Sequence, residues 1–250
     1  MDYHWDWPLF FRETGFEPGQ IYLDWFVDGL GWTLAIALTG WVLALALGTL
    51  LGVLRTLPGR GGPALARAYV GLFRNVPLLV QLFIWYFLIP DWLPEPVEHW
   101  YKLELSPALS AWVSVVLCLG LFTAARVAEQ VRTGLEALPG GQRQAALALG
   151  LTLGQAYRKV LLPQALRIIL PPLTSEFLNI VKNSSVASLI GLMELLAQTR
   201  QTAEFTARLF EPFILATLIY LVLNLGLMGL MRQVEKRLAV PGLTGQNGGH

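Results

Sequence analysis

Four long stretches of this chain carry no charged residue: Gly29–Leu54 with 26 residues, Asn75–Pro90 with 16, Leu105–Ala125 with 21 and Pro212–Met231 with 20. A helix needs about 20 apolar residues to cross a bilayer core, so three of the stretches qualify on length alone. The 16-residue stretch is short, and Arg74 at its edge can snorkel or face protein. A fifth apolar segment, Ile168–Leu195, is interrupted by Glu176, Lys182 and Glu194 and counts as a span with functional interruptions. Five spans predict an all-α integral membrane protein. Composition agrees, with 14% charged and 54% hydrophobic residues, against roughly 25% charged in soluble domains.

The charges that remain are sorted by side. Residues 1–28, 91–104 and 196–211 hold four Lys/Arg and twelve carboxylates, whereas residues 55–74, 126–167 and 232–250 hold thirteen Lys/Arg and only Glu129, Glu136 and Glu235. This asymmetry places the N-terminus outside and the C-terminus in the cytoplasm. The first 24 residues are acidic and lack a positive n-region, so no cleavable signal is expected. The division expected is therefore a periplasmic N-terminal segment 1–24, a transmembrane domain 25–237 and a cytoplasmic tail 238–250.

Several chemistries are excluded. The net charge of +1 comes without a basic tail, so nucleic acid is not an expected partner. None of the lysines, Lys102, Lys159, Lys182 and Lys236, follows a glycine, so no phosphate-binding loop exists. His4, His99 and His250 are scattered without metal-ligand spacing, and no metal is expected. Cys118 is the single cysteine and forms no intrachain disulfide. No Gly-x-Ser-x-Gly elbow is present, and Asn183-Ser184-Ser185 lies within a span, where glycosylation fails. A transporter or channel remains, and the absence of an internal repeat disfavours an inverted-repeat transporter. Trp5, Trp7, Trp25, Trp92 and Trp100 are expected in an interfacial aromatic belt.

The long cytoplasmic segment 126–167 is not a linker. Leu138-Pro139-Gly140-Gly141 stops a helix, Gln142 to about Leu149 starts a short Ala-rich one, and a further segment ends at Pro163. Such a helix lies on lipid or, since its apolar side is mostly alanine, packs closely against another protein.

Gln144-Ala145-Ala146-Leu147-Ala148-Leu149-Gly150, followed after nine residues by Val160-Leu161-Leu162-Pro163, resembles the Glu-Ala-Ala loop of ABC-importer permeases. The spacing matches throughout, with Gln144 where Glu is usual. Phe73-Arg74-Asn75-Val76-Pro77-Leu78-Leu79-Val80-Gln81, Leu138–Gln142 and Asn179–Ser188 resemble further segments of polar amino-acid permeases. Leu119–Arg132, together with Asp6-Trp7, Tyr22-Leu23 and Leu54-Arg55-Thr56, looks most like the group that imports glutamate and aspartate.

The resemblance implies the type I importer fold with five core helices in a bacterial inner membrane. It also implies a second permease, usually a distinct one, and a periplasmic amino-acid-binding protein. A pair of ATPase subunits would bind ATP and magnesium in place of this chain. It implies an ATPase-coupling loop at about 138–163, with Gln142, Gln144, Ala145, Ala146, Gly150 and Pro163 as contact residues. The permease itself would be non-catalytic. The alternatives are a channel working without an ATPase, a scaffold, or a permease for another polar amino acid such as glutamine.

The candidate substrate path is drawn from charged and polar groups within the spans or at their cytoplasmic ends: Arg126, Glu129, Arg74, Lys182, Asn183 and Ser184. Arg126 stands where many polar amino-acid permeases carry Tyr. It accepts the substrate's side-chain carboxylate, pairs with Glu129, three residues on along the same helix face, or marks the positive cytoplasmic border. Arg74 and Lys182 either join that path, pair with neighbouring helices or support the backbone. Asn183-Ser184-Ser185 opens the helix or bonds across a subunit interface. Glu194 is expected near the outer interface, hydrated.

Overall fold

The computed structural model describes residues 3–238. Among them lie the helices α1 (Tyr22–Thr56), α2 (Gly61–Asn75), α3 (Leu78–Phe83), α4 (Glu95–His99), α5 (Pro107–Glu136), α6 (Gly141–Ala148), α7 (Leu153–Ala156), α8 (Leu162–Asn183), α9 (Leu195–Thr206) and α10 (Phe210–Leu238). An isolated bridge between Glu13 and Ile21 adds a single strand-like pairing. The helices α1 and α5 and residues Phe210–Arg237 are long and apolar enough to cross a membrane. Two broken pairs, Gly61–Asn75 with Leu78–Leu88 and Leu153–Ile190 with Leu195–Thr206, bring the number to five if each pair is one span. The stretch 75–90 is thus not one continuous helix. Apart from Leu238, the tail 238–250 lies outside the described residues.

Pro77 stands at the first break, immediately before α3, and Gly191, at φ +83°, at the second; prolines elsewhere go with widened turns. The Ile89 N–H bonds the Ile84 carbonyl across a π turn at 2.9 Å, immediately before Pro90. A second π turn, Tyr157–Leu161, closes from the Leu162 N–H to the Tyr157 carbonyl, immediately before Pro163. Pro163 has no N–H to give, and the wider turn carries the helical ladder past it. The segment expected to end at Pro163 therefore runs on into α8.

The chain forms two compact units. The first comprises 3–42, Val76–Gly120 and Asn179–Asn224. Its core includes Leu9, Phe10, Phe26, Leu195 and Ala216. The N-terminal segment is tied down at its start: the Tyr3 hydroxyl and the Asp6 backbone N–H both donate to Glu211, and Arg208 donates to the His4 carbonyl at 2.8 Å. Trp25, expected in an interfacial belt, is instead buried; its indole donates to Gln20 at 3.0 Å and its ring meets Tyr22 and Phe205 edge-on. On the exposed loop, hydrogen bonds to Asp91 and Glu98 hold the Lys102 ammonium above the ordinary lysine pKa.

Glu194 corrects another expectation. Rather than being hydrated, it has no exposed surface and caps α9, accepting the N–H groups of Leu196 at 3.0 Å and Ala197 at 2.9 Å. An acidic residue at a helix N-terminus satisfies orphan donors and complements the macrodipole. The Tyr220 hydroxyl adds a third donor at 3.1 Å.

The second unit comprises Leu43–Asn75, Leu121–Leu178 and 225–238. Here α1 and α5 approach closely at glycines. A Cβ on Gly48 would lie 2.6 Å from Val127 Cβ and 2.8 Å from the Ala124 carbonyl oxygen, and one on Gly52 would lie 2.6 Å from Val131 Cβ. Without an aqueous hydrophobic drive, such small-residue contacts supply helix association in lipid. Leu51, Ala66, Val70, Ala125 and Ala128 form the core beside them. The Tyr69 hydroxyl donates to the Leu121 carbonyl at 2.8 Å, and Thr174 donates to Glu235 at 2.6 Å.

Candidate functional site

Within the second unit, α2, α5 and α8 wall a cavity of about 220 Å³, lined by Arg74, Arg126, Glu129, Gln130 and Glu176. The α-helical period puts Arg126 and Glu129/Gln130 on one face of α5. Arg74 sits in the last turn of α2, where a cation suits the helix dipole.

The two carboxylates of this cavity are held differently. Glu129 accepts from Arg55 and from Arg132, whose Nε lies at 3.2 Å, and Arg74 Nη1 approaches it at 3.8 Å. Arg132 also donates to Glu136. Glu176 is buried on α8, and its Oε2 lies 3.6 Å from Arg126 Nη1. The Arg126 guanidinium also covers the Phe122 ring, 5.1 Å from its centroid. Arg126 is 44% exposed and Arg74 50% exposed, so both cations remain accessible.

The pairing of Arg126 with Glu129, open from the sequence, is not the one the structure shows. Glu129 is already engaged by Arg55 and Arg132, and Arg126 is turned over Phe122 toward Glu176. Arg55, Arg132, Gln130 and Glu176 were absent from the expected path. The spacing of Arg132 from Glu129 signals that one pair, whereas Arg55 and Glu176 come from distant helices.

Lys182, Asn183 and Ser184 belong to the first unit and do not line this cavity. Lys182 is exposed. Ser184 is buried and donates to the Val181 carbonyl at 2.7 Å. At this point α8 gives way to the 3₁₀ stretch Ser184–Ile190, so the backbone tightens at the Asn-Ser-Ser segment rather than opening.

The loop 138–163 is built by local chemistry. Gly150, at φ +82°, ends α6: its N–H bonds the Leu147 carbonyl at 3.0 Å, and the Leu151 N–H bonds the Ala146 carbonyl at 3.2 Å. This double closure needs a left-handed residue, which glycine supplies without strain. Thr152 and Gln155 then form a reciprocal capping box that starts α7. The Tyr157 hydroxyl donates to the Thr56 carbonyl at 2.9 Å, fastening the loop to the end of α1.

On α6, Gln144 and Ala145 are exposed, Gln142 is half-buried and Ala146 is buried. Pro163 is exposed. Leu147 and Leu149 are exposed too, Leu149 by 83%, although the small-residue reading had not singled them out. Among the described residues no His/Cys/Asp/Glu group has the makings of a metal site.

Residues 44–240 match the family described as "Binding-protein-dependent transport system inner membrane component". The chain is 47% identical over 245 residues to the glutamate/aspartate import permease protein GltJ of Escherichia coli (strain K12), covering 98% of this chain and 99% of that one. It is 33% identical over 223 residues to the probable glutamine ABC transporter permease protein GlnM of Bacillus subtilis (strain 168), covering 89% and 95%. A crystal structure of an amino acid ABC transporter with histidines superposes with a TM-score of 0.72 at 31% identity, covering 86% of this chain and 95% of that one. The helical fold is thus that of an ABC-importer permease. The chain belongs to the family of inner membrane components of binding-protein-dependent transport systems.

Proposed function

We propose that this chain is the permease subunit of an ATP-driven importer that carries glutamate and aspartate across a bacterial inner membrane. The observation that carries this reading is the 47% identity, over nearly the whole chain, to a permease named for glutamate/aspartate import, against 33% to one named for glutamine. The cavity chemistry supports it. Arg74 and Arg126 are accessible on its wall, and Arg55 and Arg132 stand behind Glu129. Two guanidiniums and two carboxylates line the cavity, and with Arg55, Arg132 and Glu136 behind it four guanidiniums stand against three carboxylates, a small excess that favours an anionic substrate; a guanidinium fork matches a carboxylate bidentately.

In this reading each of the five segments crosses the membrane once, with residues 1–24 periplasmic, the transmembrane domain at 25–237 and the tail 238–250 cytoplasmic. Arg126 receives the side-chain carboxylate, Arg74 and Glu129 line the same passage, and Lys182, Asn183 and Ser184 belong to another part of the path. The loop 138–163 docks on a pair of ATPase subunits, which bind ATP and magnesium and perform all hydrolysis. Gln142, Gln144, Ala145, Ala146, Gly150 and Pro163 shape that contact. A distinct second permease completes the pathway, and a periplasmic binding protein delivers substrate past the acidic outer surface. ATPase closure moves the permeases as nearly rigid bodies between two access states.

The test is uptake of radiolabelled amino acids in a strain whose importers for these substrates are removed, with this system restored. Glutamate and aspartate should accumulate in an ATP-dependent way, with glutamine and asparagine poor competitors. Preferential glutamine uptake would replace the acidic-substrate reading.

A further inference from the structure

Glu176 is a buried carboxylate whose Oε2 accepts no hydrogen bond among the described residues. That atom lies 3.6 Å from Arg126 Nη1, whereas a closed charge-assisted hydrogen bond spans about 2.7–2.9 Å. Removing a carboxylate from water is costly unless donors replace the water. Glu129, on the same cavity, has its donors in Arg55 and Arg132. One carboxylate of the cavity is therefore occupied, and the other is held loosely by a cation that is itself open to the cavity.

We propose that Glu176 is a place-holding counter-ion, exchanged for substrate at Arg126. This rests on the acidic amino-acid reading above. A substrate carboxylate closes on the Arg126 guanidinium, and the Glu176 oxygen it releases takes the substrate's α-ammonium. One loose ion pair gives way to two closer ones, and the substrate's α-carboxylate, the remaining charge, falls to Arg74, the other accessible cation of the cavity. A dicarboxylate without an amino group also reaches Arg126, but it strands Glu176 without a cation. Glu176 therefore selects for the α-amino group, while Arg126 selects for the acidic side chain. Gln130, on the same wall, has an amide available to either substrate end.

The test is equilibrium binding of radiolabelled glutamate to the purified permease–ATPase complex without the binding protein, with unlabelled glutarate as the competitor lacking an amino group. The wild-type complex should prefer glutamate over glutarate by about tenfold or more, the scale of one charge-assisted pair. Glu176→Gln should weaken glutamate binding about tenfold and leave glutarate binding unchanged or stronger, so that the preference collapses. Glu176→Asp keeps the charge on a shorter arm and should retain part of the preference; it carries the test if the glutamine variant does not assemble. An unchanged preference in both variants, or an equal loss of both ligands, overturns the exchange while leaving the acidic-substrate reading intact. A wild-type complex that binds neither glutamate nor aspartate overturns both.

Discussion

The Glu194 carboxylate accepts the Tyr220 hydroxyl at 3.1 Å, linking the start of α9 to the middle of α10. Thr33 on α1 donates its hydroxyl to the same carboxylate at 3.5 Å and accepts the Leu195 N–H at 3.3 Å. One fully buried acid thus serves three helices as a helix cap and a shared acceptor.

Glu194→Ala removes the cap and leaves several buried donors unpaired, so it should lower stability by about 2 kcal/mol or more. Tyr220→Phe deletes one donor only and should cost about 1 kcal/mol. Thermal unfolding of the purified protein in detergent ranks the two. Equal effects would refute the dominant role of the cap.

Gly48 and Gly52 make a second stability test. Gly48→Val drives its side chain into Val127 and the Ala124 carbonyl, and Gly52→Val into Val131. Each should destabilise the protein by about 1–3 kcal/mol, the scale of overpacking. Gly31, in the same helix, has open space where its Cβ would lie. Gly31→Ala should therefore be neutral or gain up to about 1 kcal/mol from helix propensity.

The exposed face of α6 predicts a separation of folding from coupling. Leu149→Glu places a charge on a residue 83% exposed, without disturbing the buried Ala146. Uptake should fall at least about tenfold, the loss of a buried apolar contact of roughly 1.5 kcal/mol, and less ATPase should co-purify, while the permease remains folded. Ala146→Leu should instead lower the stability of the permease itself. Full uptake with Leu149→Glu would place the ATPase contact elsewhere.

The long helices α1, α5 and α10 were legible in the sequence because uncharged runs of 20 or more residues have few other ways to satisfy their backbone. The α6 helix was legible as well, since Pro139-Gly140-Gly141 and Gly150 act through local geometry. Glu194 was misread in part: its cap on Leu196 and Ala197 is local and could have been read from an acid before a helix start, whereas Thr33, 161 residues away in sequence, and Tyr220, 26 away, could not. Arg126 shows the same limit. Helical spacing favours Glu129 as its partner, but competing guanidiniums from α1 and further along α5 take that carboxylate first. The π turn before Pro163 was hidden too, because a proline reads as a stop unless the preceding turn widens.

Arg126→Tyr tests the central claim most directly, by uptake of radiolabelled glutamate and aspartate alongside co-purification of the importer subunits. The account predicts that acidic amino-acid uptake falls at least about tenfold, the loss of one charge-assisted pair, while the complex still assembles. Unchanged uptake with unchanged preference for acidic over amide substrates would contradict it.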